Sequence, residues 1–249
     1  MASSQVSAAV GVSFVVAGPG DPDLLTVRAH RLLQSADVVV VDEEITRLAE
    51  IVSSGKILVA VDNAGAPLSL AARTKVLVDA RKEGLQVVRL LSGDPVLDGR
   101  LAMETSAIAK VGHTFEVAAG VSPLTAVAAH VGVSLTGGRT REVRIIDADS
   151  PIVDWAAHVD PLVTLVVHNA ADRVTEVSKA LIKAGREGST PVAIVRDGAT
   201  VEQRSLHSTL EALPNAVKLA KQSGTGIVII GDTVGDRTSW FENRPLHGW

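Results

Sequence analysis

Short runs of β-branched residues alternate with amphipathic stretches along most of the chain, which predicts repeated βα units around a largely parallel sheet. In the first half, strands are predicted at 12–17, 37–41, 56–61, 85–91 and 114–117. Helices are predicted at 68–83, about 101–111 and 121–131. An earlier helix is predicted to begin at Pro22 with Asp21 as its N-cap, because proline is favoured at the first helical position.

The polar, turn-rich stretch 134–141, with its paired Gly137 and Gly138, predicts a boundary between two domains. We therefore predict an N-terminal α/β domain at 1–137 and a C-terminal α/β domain at 138–249. In the second domain, strands are predicted at 143–147, 162–168, 191–195, about 202–207 and 226–230, and helices at about 172–185 and 209–221. The turn at 196–200 is too short for a parallel crossover, so the second sheet is expected to be mixed.

Composition narrows the class of function. Apolar residues form 46% of the 249 residues, which suits buried cores and excludes a disordered chain. The chain has 24 basic and 28 acidic residues, no Tyr and few other aromatics, which argues against a nucleic-acid partner. Without Cys, thiol chemistry is excluded, and no His or carboxylate spacing predicts a metal. No apolar run approaches the roughly 20 residues that span a membrane. A cytoplasmic protein is therefore predicted.

The same tripeptide, Gly-Asp-Pro, follows two predicted strands, at 20–22 and at 93–95. Ligands of open α/β sheets bind at the carboxyl edge of the strands, so two such loops favour a shared cleft. A carboxylate at the helix mouth would repel a phosphate, which argues against a dinucleotide site and favours a ligand with hydroxyls, an amine or a positive centre. Alternatively, each Asp only caps the helix that follows it.

Several segments carry a resemblance to a known family, in order and over nearly the whole chain. They are GPGDPDLLT at 18–26, ADVVVVD at 36–42, VVRLLSGDP at 87–95, FEVAAGVS at 115–122, GVSLT at 132–136 and TPVAIV at 190–195. These segments resemble the tetrapyrrole methyltransferases, and the branch they resemble most is the uroporphyrinogen-III C-methyltransferases. The tail that begins with Trp240 and Phe241 is similar to the junction with a uroporphyrinogen-III synthase domain in family fusions.

The resemblance implies a fold of two α/β domains with the ligand cleft between them, and S-adenosylmethionine as methyl donor. The donor-site residues that it implies are Pro19, Ser92, Gly93, Asp94, Leu97, Ser122 and Gly198. Asp42 matches the position of a proton acceptor in the family, and losing a proton is part of methylating a pyrrole carbon. Alternatively, Asp42 caps a helix that starts near Glu43.

The chain also departs from the family pattern. Two family cations are replaced by Asp62 and Asn63, another is lost at Gly137-Gly138, and Tyr-Met-Gly becomes His168-Asn169-Ala170. A substrate rich in carboxylates needs cations, which Arg28, Arg100, Arg139 and Arg141 supply unless they are solvated surface groups. His168 is either a hydrogen-bonded structural histidine or a catalytic one.

The expected function is C-methylation of uroporphyrinogen III, with S-adenosylmethionine as donor, in sirohaem or cobalamin synthesis. A homodimer is expected from the family, and a fused uroporphyrinogen-III synthase domain is a possible partner. Alternatively, the domain has lost catalysis and serves as a structural or channelling module for a fused or partner uroporphyrinogen-III synthase. A third reading is a family relative that methylates a later corrinoid precursor.

Overall fold

The computed structural model describes residues 11–220 and 226–236. The chain divides into two compact units, Met1–Ser122 and Pro123–Trp249. This division falls before the domain boundary that the sequence predicts at 137, because the helix at Pro123–His130 contributes Leu124 and Val127 to the core of the second unit.

The first unit is built on a five-stranded sheet in which all neighbouring strands are parallel. The strands are β1 (Val12–Val16), β2 (Val38–Val41), β3 (Lys56–Val59), β4 (Val87–Leu91) and β5 (Phe115–Ala118), in the order β3-β2-β4-β1-β5. Its helices are α1 (Val27–Gln34), α2 (Thr46–Val52), α3 (Leu70–Lys82) and α4 (Arg100–Lys110). Short 3-10 turns at Pro22–Leu24 and Glu43–Ile45 follow β1 and β2.

Helices cover both faces of this sheet, because successive residues of a buried strand point to opposite sides. On one face, α1 and α2 pack against a cluster that includes Val15 and Leu90. On the other face, α3 and α4 pack against Phe14 and Leu91. Each fully buried side chain of this size contributes about 1.5–3 kcal/mol to folding. Helices therefore pack on both faces of the sheet and hold its strands in place, and the loops begin at the carboxyl ends of these strands.

The second unit contains a mixed five-stranded sheet. Its strands are β6 (Glu142–Asp147), β7 (Val163–His168), β8 (Pro191–Arg196), β9 (Arg204–Thr209) and β10 (Gly226–Ile230), in the order β6-β7-β10-β8-β9. Its helices are α5 (Pro123–His130), α6 (Val174–Ala184) and α7 (Leu213–Ala220), with 3-10 turns at Trp155–His158 and Asp232–Val234. Strands β8 and β9 are antiparallel whereas β6 and β7 are parallel, which confirms the mixed sheet predicted from the short connection between β8 and β9.

The first helix differs from the prediction. Asp21 does act as an N-cap, since its Oδ1 accepts a hydrogen bond from the N–H of Asp23 at 2.8 Å, but the turn that it caps ends at Leu24. The α-helix begins only at Val27, where the hydroxyl of Thr26 caps the N–H of Ala29 at 3.2 Å. A second capping residue thus restarts the helix after the turn.

Among the described residues, no helix is both long enough and apolar enough to span a membrane. The tail residues Trp240 and Phe241, in which the sequence resembles a family junction, lie outside the described residues.

Candidate functional site

The two Gly-Asp-Pro loops lie side by side at the carboxyl edge of the first sheet. They meet because β1 and β4 are neighbours, and the N–H of Gly93 donates to the carbonyl oxygen of Gly18 at 3.2 Å. Gly18 has a φ of +69°, and a Cβ there would lie 2.7 Å from the carbonyl oxygen of Val121. Only glycine fits such a backbone contact. The two loops therefore lie at one edge of the sheet, as the sequence indicated, and the cleft that they were expected to share stays a prediction.

The two aspartates of these loops have different roles. Asp21 caps the turn after β1, as the alternative interpretation proposed. Asp94 uses its backbone carbonyl to accept the N–H of Leu97 at 3.1 Å, and no described residue donates a hydrogen bond to its carboxylate. The carboxylate of Asp94 is therefore available to a ligand, whereas that of Asp21 is engaged.

An open pocket of about 270 Å³ lies beside Asp94. It is lined by residues of the first unit only: Val16, Asp94, Val96, Leu101, Val117, Ala119, Gly120, Val121 and Ser122. These residues come from the ends of β1 and β5, the loops that follow β4 and β5, and the first turn of α4. Apolar walls with a few polar groups are typical of small-molecule sites, whose volumes run from about 300 to 1,000 Å³. At about 270 Å³, this pocket is slightly smaller than that range.

The pocket contains only some of the donor-site residues that the resemblance implies. Asp94 and Ser122 line it, whereas Pro19, Gly93 and Leu97 are not among its lining residues. Ser92 is buried, and its N–H and hydroxyl contact Asp42. The sequence prediction missed the apolar walls, of which Val16, Leu101 and Val117 are examples. For Val16 and Val117 the available signal was position, since each lies at or next to a strand end on the predicted edge, whereas Leu101 lies in the first turn of α4.

Asp42 is held by several donors at the end of β2. Its Oδ1 accepts a hydrogen bond from Nη2 of Arg89. Its Oδ2 accepts the backbone N–H of Ser92 at 3.0 Å and Nη1 of Arg100 at 3.0 Å. Asp42 occupies the N-cap position of the turn at Glu43–Ile45, as the alternative proposed, but its side chain makes no capping hydrogen bond there.

Arg89 connects Asp42 to a second buried carboxylate. Its Nε lies 2.8 Å from Oε2 of Glu104, and its Nη2 lies 3.0 Å from Oε1 of the same residue. Arg73 adds a further ion pair, with its Nε 3.1 Å from Oε1 of Glu104. Arg89 and Glu104 are 1% and 2% exposed, so this network is inside the unit. Buried charges persist only when they are paired and hydrogen-bonded in this way.

The network favours the charged forms of Asp42 and Arg89. Burial alone would raise the pKa of Asp42, but the Arg89 guanidinium and the N–H of Ser92 outweigh burial and hold that pKa below its ordinary value. Burial alone would lower the pKa of Arg89, but the carboxylates of Glu104 and Asp42 hold it above its ordinary value. At neutral pH, Asp42 is therefore an ionised acceptor beside two cations.

Comparison with known proteins identifies the family to which the chain belongs. Residues 11–214 match the family model described as Tetrapyrrole (Corrin/Porphyrin) Methylases. The chain belongs to this family. Siroheme synthase of Azotobacter vinelandii is 36% identical over 243 residues, which are 94% of this chain and 52% of that protein. Siroheme synthase of Chromobacterium violaceum is 35% identical over 251 residues, 97% of this chain and 53% of that protein. The chain spans about half the length of these curated relatives.

Solved structures of methylases share the fold. The X-ray structure of cobalt precorrin-4 methyltransferase, a cobalamin biosynthetic enzyme, has a TM-score of 0.80 and 26% identity, and the match covers 90% of this chain and 95% of that one. Uroporphyrin-III C-methyltransferase from Thermus thermophilus, complexed with S-adenosylhomocysteine, has a TM-score of 0.75 and 27% identity, with coverages of 91% and 99%. The predicted family, the two-sheet α/β fold class and the methyltransferase class are thus confirmed. S-adenosylmethionine is the methyl donor of that class.

The departures from the methylase pattern have local structural explanations. Oδ1 of Asp62 accepts the backbone N–H groups of Ala64 at 2.8 Å and Ala66 at 2.9 Å, so it closes its own turn. Gly137 pairs with Thr140 through two backbone hydrogen bonds, of 3.0 and 2.8 Å. Asn169 has a φ of +56°, which asparagine tolerates better than most residues, and its amide donates to Asp147 at 3.1 Å.

The remaining candidates are likewise placed by local contacts. His168 lies beside Asp147, with 3.8 Å between Nδ1 and Oδ1, which is beyond hydrogen-bonding distance. Gly198 lies in the loop after β8, where a Cβ would be 2.4 Å from Cγ2 of Val127. Packing in the second unit is therefore sufficient to require glycine at this position.

The four arginines expected to replace the lost cations differ in the groups that they bind. Arg28 pairs with Glu116, and Arg100 binds both Asp42 and Asp98. The Nη1 group of Arg141 donates to the carbonyl of Thr140 at 3.3 Å. Arg139 is exposed and has no partner among the described residues. Two of these four charges, those of Arg28 and Arg100, are thus already paired with carboxylates within the protein.

Proposed function

We propose that this chain is an S-adenosylmethionine-dependent C-methyltransferase that methylates uroporphyrinogen III in sirohaem or cobalamin synthesis. The observation that carries the proposal is a pocket in this methylase-family chain in which Asp94, whose carboxylate has no partner among the described residues, lies beside apolar side chains. The names of the siroheme synthase relatives and of the Thermus thermophilus enzyme support the choice of substrate.

The pocket fits one end of the donor. Val16, Leu101 and Val117 supply apolar surface of the kind that contacts an adenine ring. The carboxylate of Asp94 would accept hydrogen bonds from ribose hydroxyls or from an ammonium group. When bound, S-adenosylmethionine supplies an electrophilic methyl group. The contribution of the chain is to orient that group towards the substrate and to exclude water.

We further propose, from the family resemblance, that the protein works as a cytoplasmic homodimer and that a uroporphyrinogen-III synthase is its fused or functional partner. The relatives' greater length leaves room for a second domain. The second candidate function is a module that retains the fold but lacks turnover. It is favoured by the commitment of Asp62 to its own turn and of Arg100 to Asp42 and Asp98.

The first experiment is calorimetric titration with S-adenosylhomocysteine. We expect a micromolar Kd, equivalent to about −8 kcal/mol. Asp94→Asn should weaken binding strongly because it removes the negative charge. Asp21→Asn is the matched control: it alters the same tripeptide in the other loop, where asparagine also caps a turn well. Equal binding by both variants would remove Asp94 from the site.

The second experiment supplies S-adenosylmethionine and uroporphyrinogen III and measures the mass of the tetrapyrrole. The proposed function predicts stepwise addition of methyl groups. Binding of S-adenosylhomocysteine without methylation of uroporphyrinogen III, but with methylation of a later corrinoid precursor, would replace the substrate. No binding at millimolar ligand would refute the enzyme and leave the module without turnover as the better explanation.

A further inference from the structure

The carboxylate of Asp42 has little capacity left for a proton from a substrate. An ionised carboxylate has about four lone-pair positions. Arg89, Arg100 and the N–H of Ser92 occupy three of them. The hydroxyl oxygen of Ser92 lies 3.2 Å from Oδ2 of Asp42 and 2.7 Å from Oε1 of Glu44, so its single hydrogen is shared between two carboxylates. The side chain of Asp42 is only 13% exposed.

The charges around Asp42 also oppose a role as general base. A general base works best when its pKa is near the working pH and its lone pair reaches the substrate. The cations of Arg89 and Arg100 contact Asp42 directly. The neighbouring carboxylates of Glu44, Glu104 and Asp98 are linked to it only through Ser92, Arg89 and Arg100, respectively. Because these contacts favour the ionised form, the pKa of Asp42 is held below its ordinary value.

The same contacts allow Asp42 to fix the position of the segment that carries Asp94. Ser92 is the second residue before Asp94, and its N–H and hydroxyl both contact Asp42. Arg100 begins α4, one residue before the pocket residue Leu101, and its Nη2 also donates to the carbonyl of Ser92 at 2.8 Å. Asp42 therefore holds both ends of the segment that carries Asp94.

Arg89 ties this arrangement to the core. It lies in β4, and its guanidinium binds Asp42 on one side and the buried Glu104 of α4 on the other. The Nη1 group of Arg89 also donates to the carbonyl of Leu90 at 2.7 Å. The position of the Asp42 carboxylate is thus set by a buried cation that has little freedom to move.

We propose that Asp42 is a positioning residue, which fixes the Asp94 loop and the start of α4 through Ser92 and Arg100, and that it does not take the substrate proton. This inference rests on the proposed function, because it assigns Asp94 to the donor site. It replaces the role of proton acceptor that the resemblance implied for Asp42.

The test compares Asp42→Asn with the wild type and with Glu43→Gln. Glu43 is the adjacent exposed carboxylate, so Glu43→Gln removes the same charge one residue away and should change nothing. Asp42→Asn should raise the Kd for S-adenosylhomocysteine about tenfold or more, because it weakens hydrogen bonds that involve charged groups. At saturating donor, kcat should fall by only a few-fold, and the acidic limb of the pH–rate profile should remain.

A proton acceptor gives the opposite pattern. Asp42→Asn would then leave the Kd unchanged, lower kcat by about 10²–10⁴-fold and remove the acidic limb of the profile. That result would overturn the positioning role alone. Failure of the wild type to bind S-adenosylhomocysteine would instead overturn the proposed function, and with it this role.

A milder variant covers the case in which Asp42→Asn does not fold, which circular dichroism would reveal. Ser92→Ala keeps the backbone N–H but removes the hydroxyl that contacts Asp42 and Glu44. Positioning predicts a Kd raised by a few-fold with kcat unchanged at saturating donor. An unchanged Kd in Ser92→Ala would count against the inference.

Discussion

Replacing Glu104 by Gln tests whether the buried ion network stabilises the first unit. Glu104 is 2% exposed, and its two oxygens meet Nε and Nη2 of Arg89 at 2.8 and 3.0 Å and Nε of Arg73 at 3.1 Å. A neutral amide would leave Asp42 as the one carboxylate among the described residues that pairs with Arg89, and in either orientation it would turn its NH2 group towards the Arg89 guanidinium. Breaking a buried pair from one side costs about 3–5 kcal/mol. That is a large share of the roughly 5–15 kcal/mol by which a protein is stable.

Urea unfolding followed by far-ultraviolet circular dichroism measures this loss. With a slope of about 1–3 kcal/mol per molar urea, the midpoint should fall by about 1 M or more. Tryptophan fluorescence is unsuitable, because the sequence of the first unit, Met1–Ser122, contains no tryptophan. Hydrogen exchange at the amides of β4 locates the effect. The control is Asp79→Asn, which removes an exposed pair with Lys75 and should leave the midpoint unchanged. If Glu104→Gln shifts the midpoint no more than this control does, the network contributes little stability and the reasoning fails.

Two further predictions concern the second unit. Gly198→Ala should destabilise it by about 1–3 kcal/mol in urea unfolding, because the new Cβ would lie 2.4 Å from the stiff side chain of Val127. Adding Val127→Ala should recover part of this loss. If Gly198→Ala costs as much stability with Val127→Ala as without it, the cause is not steric. Burial, together with the cations of Arg144 and Arg186, holds the pKa of His158 below its ordinary value near 6.5. The neutral imidazole of His158 therefore contributes to the stability of the folded state above pH 6.5, and this contribution is lost as the pH falls through the pKa of the folded state. His158→Gln should therefore make the pH dependence of the unfolding midpoint shallower below pH 6.5, and an unaltered slope would show that this histidine is not responsible.

The strands were predictable because their signal is local. All ten predicted strands overlap observed ones, and the run Val38–Val41 shows why: four consecutive β-branched residues fit a strand that is buried on both faces. The restart of the first helix at Val27 was missed, although Thr26 is a good capping residue, because Pro22 also satisfies the rules for a helix start. The sequence offers both starts, and tertiary contacts such as that of Thr26 with the carbonyl of Ala119 at 3.1 Å favour the second.

The candidate site was predictable only in part. The Gly-Asp-Pro tripeptides indicated the correct edge of the sheet, because turn residues after strands are a local signal. The partners of Asp42 could not be predicted in the same way. Arg89 is a cation within an otherwise apolar strand, which indicates a buried ion pair but not its members. Those members, Asp42 and Glu104, come from other elements, and only the packed unit brings them together.

In the loop at Asp62, the residue that replaces a family cation has a structural role of its own. Asp62 accepts two N–H groups of its own turn, and its backbone closes the turn further, with its N–H donating to the carbonyl of Ala66 at 2.7 Å and its carbonyl accepting the N–H of Gly65 at 3.0 Å. A lysine here would remove both side-chain bonds, since it has no acceptor. Asn63 is exposed, and no described residue bonds its side chain, so an arginine could be added there without opening the turn. A cation that binds a carboxylate-rich substrate can therefore be placed at position 63 without disturbing this loop. At position 62, a cation would replace the carboxylate that closes the turn.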